Sequence, residues 1–162
     1  MVWRPEVTVA AVIERDARFL LVEERIRGRR VFNQPAGHLE DGETLPSAIV
    51  REVLEETAWG FEPQWLLGLY LWRNRGGRST LRIAFTGALR ELDAARTLDA
   101  PIIATHWLTR AQVLERAARL RTPLVLRCID DYLAGTRLPL GALTSLVEAA
   151  TMPAWEPHPP SA

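Results

Sequence analysis

A chain of 162 residues in which 20 Lys and Arg balance 20 Asp and Glu carries no net charge at neutral pH. That removes the electrostatic case for a nucleic-acid partner or a membrane surface. Hydrophobic residues at 48% and charged residues at 25% suit a globular protein rather than a disordered one, and the single cysteine, Cys128, excludes an intrachain disulfide.

Residues 1–150 are expected to form one domain, and residues 151–162, with four prolines, a loose tail. No basic-then-apolar leader opens the sequence, and no run of about 18 apolar residues occurs. A cytoplasmic location is therefore expected, and Cys128 reads as a buried, inert thiol.

In chain order, residues 7–14 (V-T-V-A-A-V-I-E) form a β-rich apolar run that predicts a buried strand. A polar turn at 15–18 and a second strand at 19–22 complete a hairpin. Residues 23–30 hold two Glu, four Arg and Gly28, and read as a charged loop whose arginines can meet phosphate oxygens. Residues 31–36 (V-F-N-Q-P-A) form a short lead into Gly37.

Residues 45–57 repeat apolar positions with helical period. Thr44 is placed to cap that helix, and Pro46 is tolerable so early in it. Ile49, Val50, Val53, Leu54 and Thr57 share one side. Glu52, Glu55 and Glu56 cluster on another, because i, i+3 and i+4 are neighbours on a helix. Crowded carboxylates repel, at roughly 0.2–0.5 kcal/mol for each i, i+4 pair. Arg51 can neutralise one of them, and the others suit a hard divalent cation, which prefers oxygen ligands. A solvated acidic face is the plainer account of E-x-x-E-E taken alone.

Beyond the helix, residues 64–73 predict a strand with a bulge at Gly68, and 74–78 (N-R-G-G-R) a turn. Residues 79–87 form the return strand, with Leu81, Ile83 and Phe85 on one face and Thr80, Arg82 and Ala84 on the other. Arg73, Arg75, Arg78 and Arg82 would together make a basic rim. Residues 89–101 read as a polar loop containing Asp99, and 102–108 as a strand. Thr109 caps a helix over 110–120, and a last helix covers 123–134, closed by Gly135. Trp65 and Leu67 are candidates for a dimer face.

The whole stretch 37–59 (G-H-L-E-D-G-E-T-L-P-S-A-I-V-R-E-V-L-E-E-T-A-W) resembles the Nudix box, a long gapped signature far more specific than a short acidic run. The resemblance implies an α/β fold: a Nudix-type α/β/α sandwich with a mixed β-sheet and a catalytic loop–helix–loop. It implies a hydrolase of phosphoric anhydride bonds that uses Mg²⁺ or Mn²⁺. Glu52, Glu55 and Glu56 then resemble the metal-binding carboxylates, one of them also helping to deprotonate the attacking water. The Gly37 carbonyl would be a further ligand. Arg51 would orient a glutamate, and Glu43 would support the helix or a second metal. Asp99 matches an additional acid by chain position.

Phe32, Asn33 and Arg82 are candidate substrate contacts, with Phe32, Tyr70 and Trp72 candidates for stacking on a base. His38, in the box loop, is either a proton carrier or a bystander. The family usually has Gly where this chain has Ala58. Ala in a left-handed conformation costs roughly 1–2 kcal/mol, so Gly60 could serve as the cap instead.

The flanks, at V-T-V-A from Val7, L-L-V-E-E from Leu20, F-N-Q-P-A-G-H-L-E from Phe32 and T-P-L-V-L-R-C-I-D-D-Y-L-A-G from Thr122, resemble the NudJ-type phosphatases. That implies orthophosphate release from nucleoside tri- and diphosphates and from hydroxymethylpyrimidine diphosphate. The partner is then a small-molecule nucleotide or pyrimidine diphosphate, with no nucleic acid and no membrane, and the protein a monomer or homodimer. The alternatives are another Nudix specificity (nucleotide sugar, dinucleoside polyphosphate or oxidised nucleotide) and a catalytically silent ligand-binding module.

Overall fold

The computed structural model describes residues 2–147, so the tail expected at 151–162 lies outside the described residues. Nine strands and three α-helices form two sheets with helices on both sides. β1 (Glu6–Val12) lies inside a mixed sheet of order β5-β1-β7-β6-β9, parallel to β7 (Ser79–Leu92) and antiparallel to β5 (Ala36–His38). β6 (Trp59–Arg73) pairs with β7 and with the short β9 (Leu138–Pro139). The second sheet joins β2 (Glu14–Arg15), β3 (Arg18–Ile26) and β4 (Arg29–Asn33), with β8 (Ile102–Thr109) on the other edge of β3.

Strand period sorts the core into two layers. Val9, Ala11, Leu20, Ile83 and Phe85 pack on Ala48, Ile49 and Val53 of α1 (Leu45–Thr57). Their neighbours Val12, Phe19, Leu21 and Ala84 pack the opposite way, on Val113 of α2 (Arg110–Glu115) and Val125, Cys128 and Ile129 of α3 (Leu124–Leu133). β1 serves both layers, which is why its sequence is a continuous apolar run rather than an alternating one. The fold is the α/β sandwich the box implied. Among the described residues, no helix is long and apolar enough to cross a membrane.

Several elements differ from their sequence reading. Residues 23–30 are not a loop. Glu23 pairs across the ladder with Phe32 and Glu24 with Val31, and the chain reverses at Arg27 (φ 48°) and Gly28 (φ 78°), two left-handed residues of a tight hairpin. Charge hid the strand: Glu23 and Glu24 are buried, but each is paired with arginine. β6 begins at Trp59 rather than near 64, because irregular pairing at Pro63/Trp65 accommodates the proline; a further shift at Leu66/Gly68 places the expected bulge. β7 runs on to Leu92, which shortens the following loop. α2 stops at Glu115 and gives way to one 3₁₀ turn at Ala117–Arg119. Trp65 is 43% exposed but Leu67 only 1%, so Leu67 belongs to the core and not to a dimer face.

Thr44 caps α1 as expected, its hydroxyl accepting from the Ser47 N–H at 3.1 Å. The exit is made by Ala58 itself, at φ 61° and ψ 5°, with its N–H donating to the Leu54 carbonyl; Gly60 does not take over. The helix thus keeps its left-handed end and bears the strain of a Cβ there. Ala58→Gly should stabilise the protein by about 1 kcal/mol, read as a higher denaturant midpoint with unchanged slope. An unchanged midpoint would show that the strain is relieved elsewhere. Gly87→Ala should do the opposite, because a Cβ there would overlap the Glu62 carbonyl oxygen.

Candidate active site

α1 presents its acids at the seam with β5. The buried stripe of the helix reads Ala48, Ile49, Glu52, Val53, Glu56, Thr57, so two of the three glutamates lie on the packed side; Val50 and Leu54 are only half-buried. Glu52 rests against the bare Cα of Gly37: a Cβ at that position would overlap its carboxylate. Glu56 Oε2 accepts from the Ala36 N–H at 2.9 Å. β5 is therefore stitched to the helix by both carboxylates.

Arg51 organises the outer acids. Its Nε and Nη2 grip Glu43 at 2.6 and 3.0 Å in a fork. Nη1 reaches Glu52 at 2.8 Å and Glu55 at 3.0 Å, and Nη2 also donates to the His38 carbonyl at 3.0 Å. Glu43 Oε2 accepts in turn from the Glu40 N–H. The Arg51 hydrogen bond holds the Glu43 carboxyl below its ordinary range, and the acids raise the Arg51 guanidinium above its own. Asp99 joins the group: its N–H donates to the Glu55 carbonyl at 3.1 Å, and its charge acts on Glu52.

The inner acids behave differently. Burial is the largest influence on Glu52 and pushes its carboxyl upward against the pull of Arg51. Burial also pushes Glu56 up to about 8, opposed by the Ala36 N–H and assisted by the charges of Glu52 and Glu24. Among the described residues, no three His, Cys, Asp or Glu side chains converge as a ready-made metal cage. The site nevertheless fits a hard divalent cation. Its donors are all oxygen, the missing side chain of Gly37 lets the Glu52 carboxylate sit against β5, and the repulsion of Glu56 by Glu52 and Glu24 is what a cation would relieve. Mg²⁺ needs no full protein cage, since it keeps waters and takes phosphate oxygens.

The remaining candidates separate. The exposed His38 ring lies 3.9 Å from Glu6 and not among the acids, so its loop-bystander reading fits. Phe32 is buried, edge-on to His106 at 5.5 Å and covered by the Arg119 guanidinium at 4.8 Å, so its faces are already used. Tyr70 donates to Asp131 at 2.9 Å. Arg82 is not on a basic rim: it is 4% exposed and donates to Gln34 Oε1 at 3.0 Å and Asn33 Oδ1 at 3.2 Å. Cys128 is fully buried, and burial pushes its thiol up to about 11, which fits an inert role.

Two polar residues escaped the sequence reading. Glu24, 3% exposed, pairs with Arg121 through one oxygen, while the other has no partner among the described residues. Gln34 donates to the Val125 carbonyl at 2.8 Å. The one available signal was E-E directly after an apolar strand run.

A NUDIX domain family model matches residues 3–128. Over 138 residues the chain is 38% identical to "Phosphatase NudJ" of Escherichia coli strain K12, covering 85% of this chain and 90% of that protein. A solved NUDIX hydrolase from Nitrosomonas europaea superposes with a TM-score of 0.85 at 47% identity, covering 88% of this chain and 97% of that one. The NUDIX domain of Shewanella oneidensis NrtR, solved with ADP ribose, shares the fold with a TM-score of 0.67 at 21% identity, covering 83% and 90%.

The raised Glu56 carboxyl has a definite sign in stability. Its neutral form is favoured by the fold, so its contribution is whole below the unfolded value near 4.5 and is lost as pH rises towards 8. With a chelator present, stability should fall between about pH 5 and 8, by at most about 1.4 kcal/mol per pH unit from this group. Glu56→Gln should flatten that slope in thermal melts, and Mg²⁺ should raise the melting temperature more at the upper pH. An identical slope in the variant would show that burial of Glu56 is not felt.

Proposed function

This chain belongs to the Nudix family as a hydrolase of phosphoric anhydride bonds, and within it we propose a Mg²⁺- or Mn²⁺-dependent phosphatase of nucleoside tri- and diphosphates. Orthophosphate is the product, and hydroxymethylpyrimidine diphosphate is a further substrate of the same chemistry. The cytoplasm is the proposed compartment. The observation that carries the reading is the seating of Glu52 and Glu56 on Gly37 and Ala36, with Arg51 gathering Glu43, Glu52 and Glu55 beside them. A silent binding module has no use for that crowding of acids.

The residues that would hold the cation are Glu52, Glu55, Glu56 and the Gly37 carbonyl, with Glu43 and Asp99 as further acids. When bound, the cation supplies charge neutralisation of the phosphate oxygens and a more acidic water. The chain does the rest by position. Water attacks the terminal phosphorus, the bridging P–O bond breaks, the shortened nucleotide leaves with the bridging oxygen, and the attacked phosphate departs as orthophosphate. Glu56 is the carboxyl proposed to take the proton from that water, with the Ala36 N–H holding its Oε2 in place. Arg51 aims Glu43 and Glu55, and its hydrogen bond keeps Glu43 ionised. Asn33, three residues ahead of Ala36, is the proposed contact to the substrate's ring.

Purified protein with Mg²⁺ should release orthophosphate directly from nucleoside triphosphates, without added pyrophosphatase. Glu56→Gln should lower the rate by roughly 100-fold or more, since several kcal/mol of charge stabilisation act through this group. Signal that appears only after pyrophosphatase is added would move the cut to the inner anhydride and sink the phosphatase reading. Arg51→Gln should lower the rate and also reduce stability, through the loss of the fork to Glu43.

A further inference from the structure

Arg82 lies centrally on β7, opposite Thr8 of β1 and Tyr70 of β6, on the α3 side. A guanidinium so buried ordinarily faces a carboxylate, because an uncompensated charge in the interior is costly. Arg82 hydrogen-bonds instead to two amide oxygens from consecutive residues, Asn33 and Gln34, at the point where the chain crosses from one sheet to the other.

That choice of partner has a chemical consequence. A guanidinium has donors only, so the amide atom facing it must be the oxygen. Both amides are therefore turned with their NH₂ groups away from Arg82. Gln34 spends its NH₂ on the Val125 carbonyl at 2.8 Å. The Asn33 NH₂ has no partner among the described residues. The charges of Glu24 and Arg121 act on both Arg82 and Glu56, so this junction and the inner acid share one electrostatic neighbourhood. Glu24 Oε1 and Arg82 Nε are buried without partners among the described residues, so neither faces solvent.

We propose that Arg82 is a positioning residue that locks the Asn33 amide, so that a ring meeting Asn33 meets a donor only and the enzyme prefers rings presenting a carbonyl acceptor over rings presenting an exocyclic amine. This rests on Asn33 contacting the substrate's ring, as proposed above. Arg82 touches no reacting atom in this role. Without it the amide is free to flip and the preference fades.

Two isosteric base pairs test the lock: inosine against adenosine triphosphate, and uridine against cytidine triphosphate. The wild type should favour the carbonyl member of each pair, chiefly in KM, by about tenfold or more, because a donor left facing an amine loses its hydrogen bond. Asn33→Asp keeps the contact to Arg82, and charge-assists it, while removing the donor. It should melt no lower than wild type yet lose or invert the preference, read as the ratio of the two KM values. Arg82→Lys cannot bridge both oxygens and should narrow the preference, and in an Asn33→Ala background it should change the ratio no further.

Binding of the same nucleotides to Glu56→Gln, read by calorimetry, repeats the comparison without turnover. Hydrolysis with no carbonyl preference, or a preference that survives Asn33→Asp, overturns the lock and leaves the phosphatase reading standing. Selective binding without orthophosphate release sinks the phosphatase reading and supports the lock. An Arg82→Lys protein with lower stability and kcat but an unchanged preference ratio marks Arg82 as a structural clamp and overturns the proposal.

Discussion

One guanidinium makes the acidic helix tenable. Arg51 spreads its donors over Glu43, Glu52, Glu55 and the His38 carbonyl, fastening α1 to the loop before it. Carboxylates at those spacings would otherwise repel along the helix. Arg51 does not reach Glu56, which has the Ala36 N–H as its hydrogen-bond partner. The site therefore divides into an outer acid, Glu43, whose ionised form Arg51 favours, and two inner acids, Glu52 and Glu56, whose charge burial disfavours. The inner pair lies against β5, where the missing side chain of Gly37 leaves room for the Glu52 carboxylate.

The box was legible because its constraints are chemical and local. Thr44 must cap, Gly37 must lack a side chain, and the glutamates must recur with helical period, so each leaves a mark at a set spacing. The departure at Ala58 was equally visible, but its resolution was not. Whether Ala58 or Gly60 ends the helix depends on the backbone that β6 imposes from Trp59 onward. The hairpin at residues 23–30 was hidden because pattern reading takes charge for exposure, whereas Glu23 and Glu24 are buried against arginines that lie far along the chain. Arg82 misled for the same reason in reverse. Alternation placed it correctly on the face opposite Leu81, Ile83 and Phe85, but nothing local shows that α3 covers that face.

The substrate side of the site is built by crossing rather than by a single motif. The chain leaves the second sheet at Asn33, enters the first at Ala36, and within those few residues passes Arg82, Val125 of α3 and Glu56 of α1. Four elements distant in sequence meet there through hydrogen bonds to two amides and one backbone N–H. Hydrogen bonds from all four hold that junction, and in the proposed lock the commitment of Arg82 leaves the NH₂ end of the Asn33 amide for a ligand.

The parallel pairing of β1 with β7 carries a kinetic consequence. Thr8 meets Arg82 only after most of the chain between them has been ordered, whereas the hairpins β3–β4 and β6–β7 close locally. Long closures cost more entropy and slow folding. The amide junction and the floor beneath the acids thus belong to the last structure to form. A chain halted before that closure keeps the local grip of Arg51 on its acids but lacks the sheet beneath them, so catalytic competence should report completed folding rather than secondary-structure content.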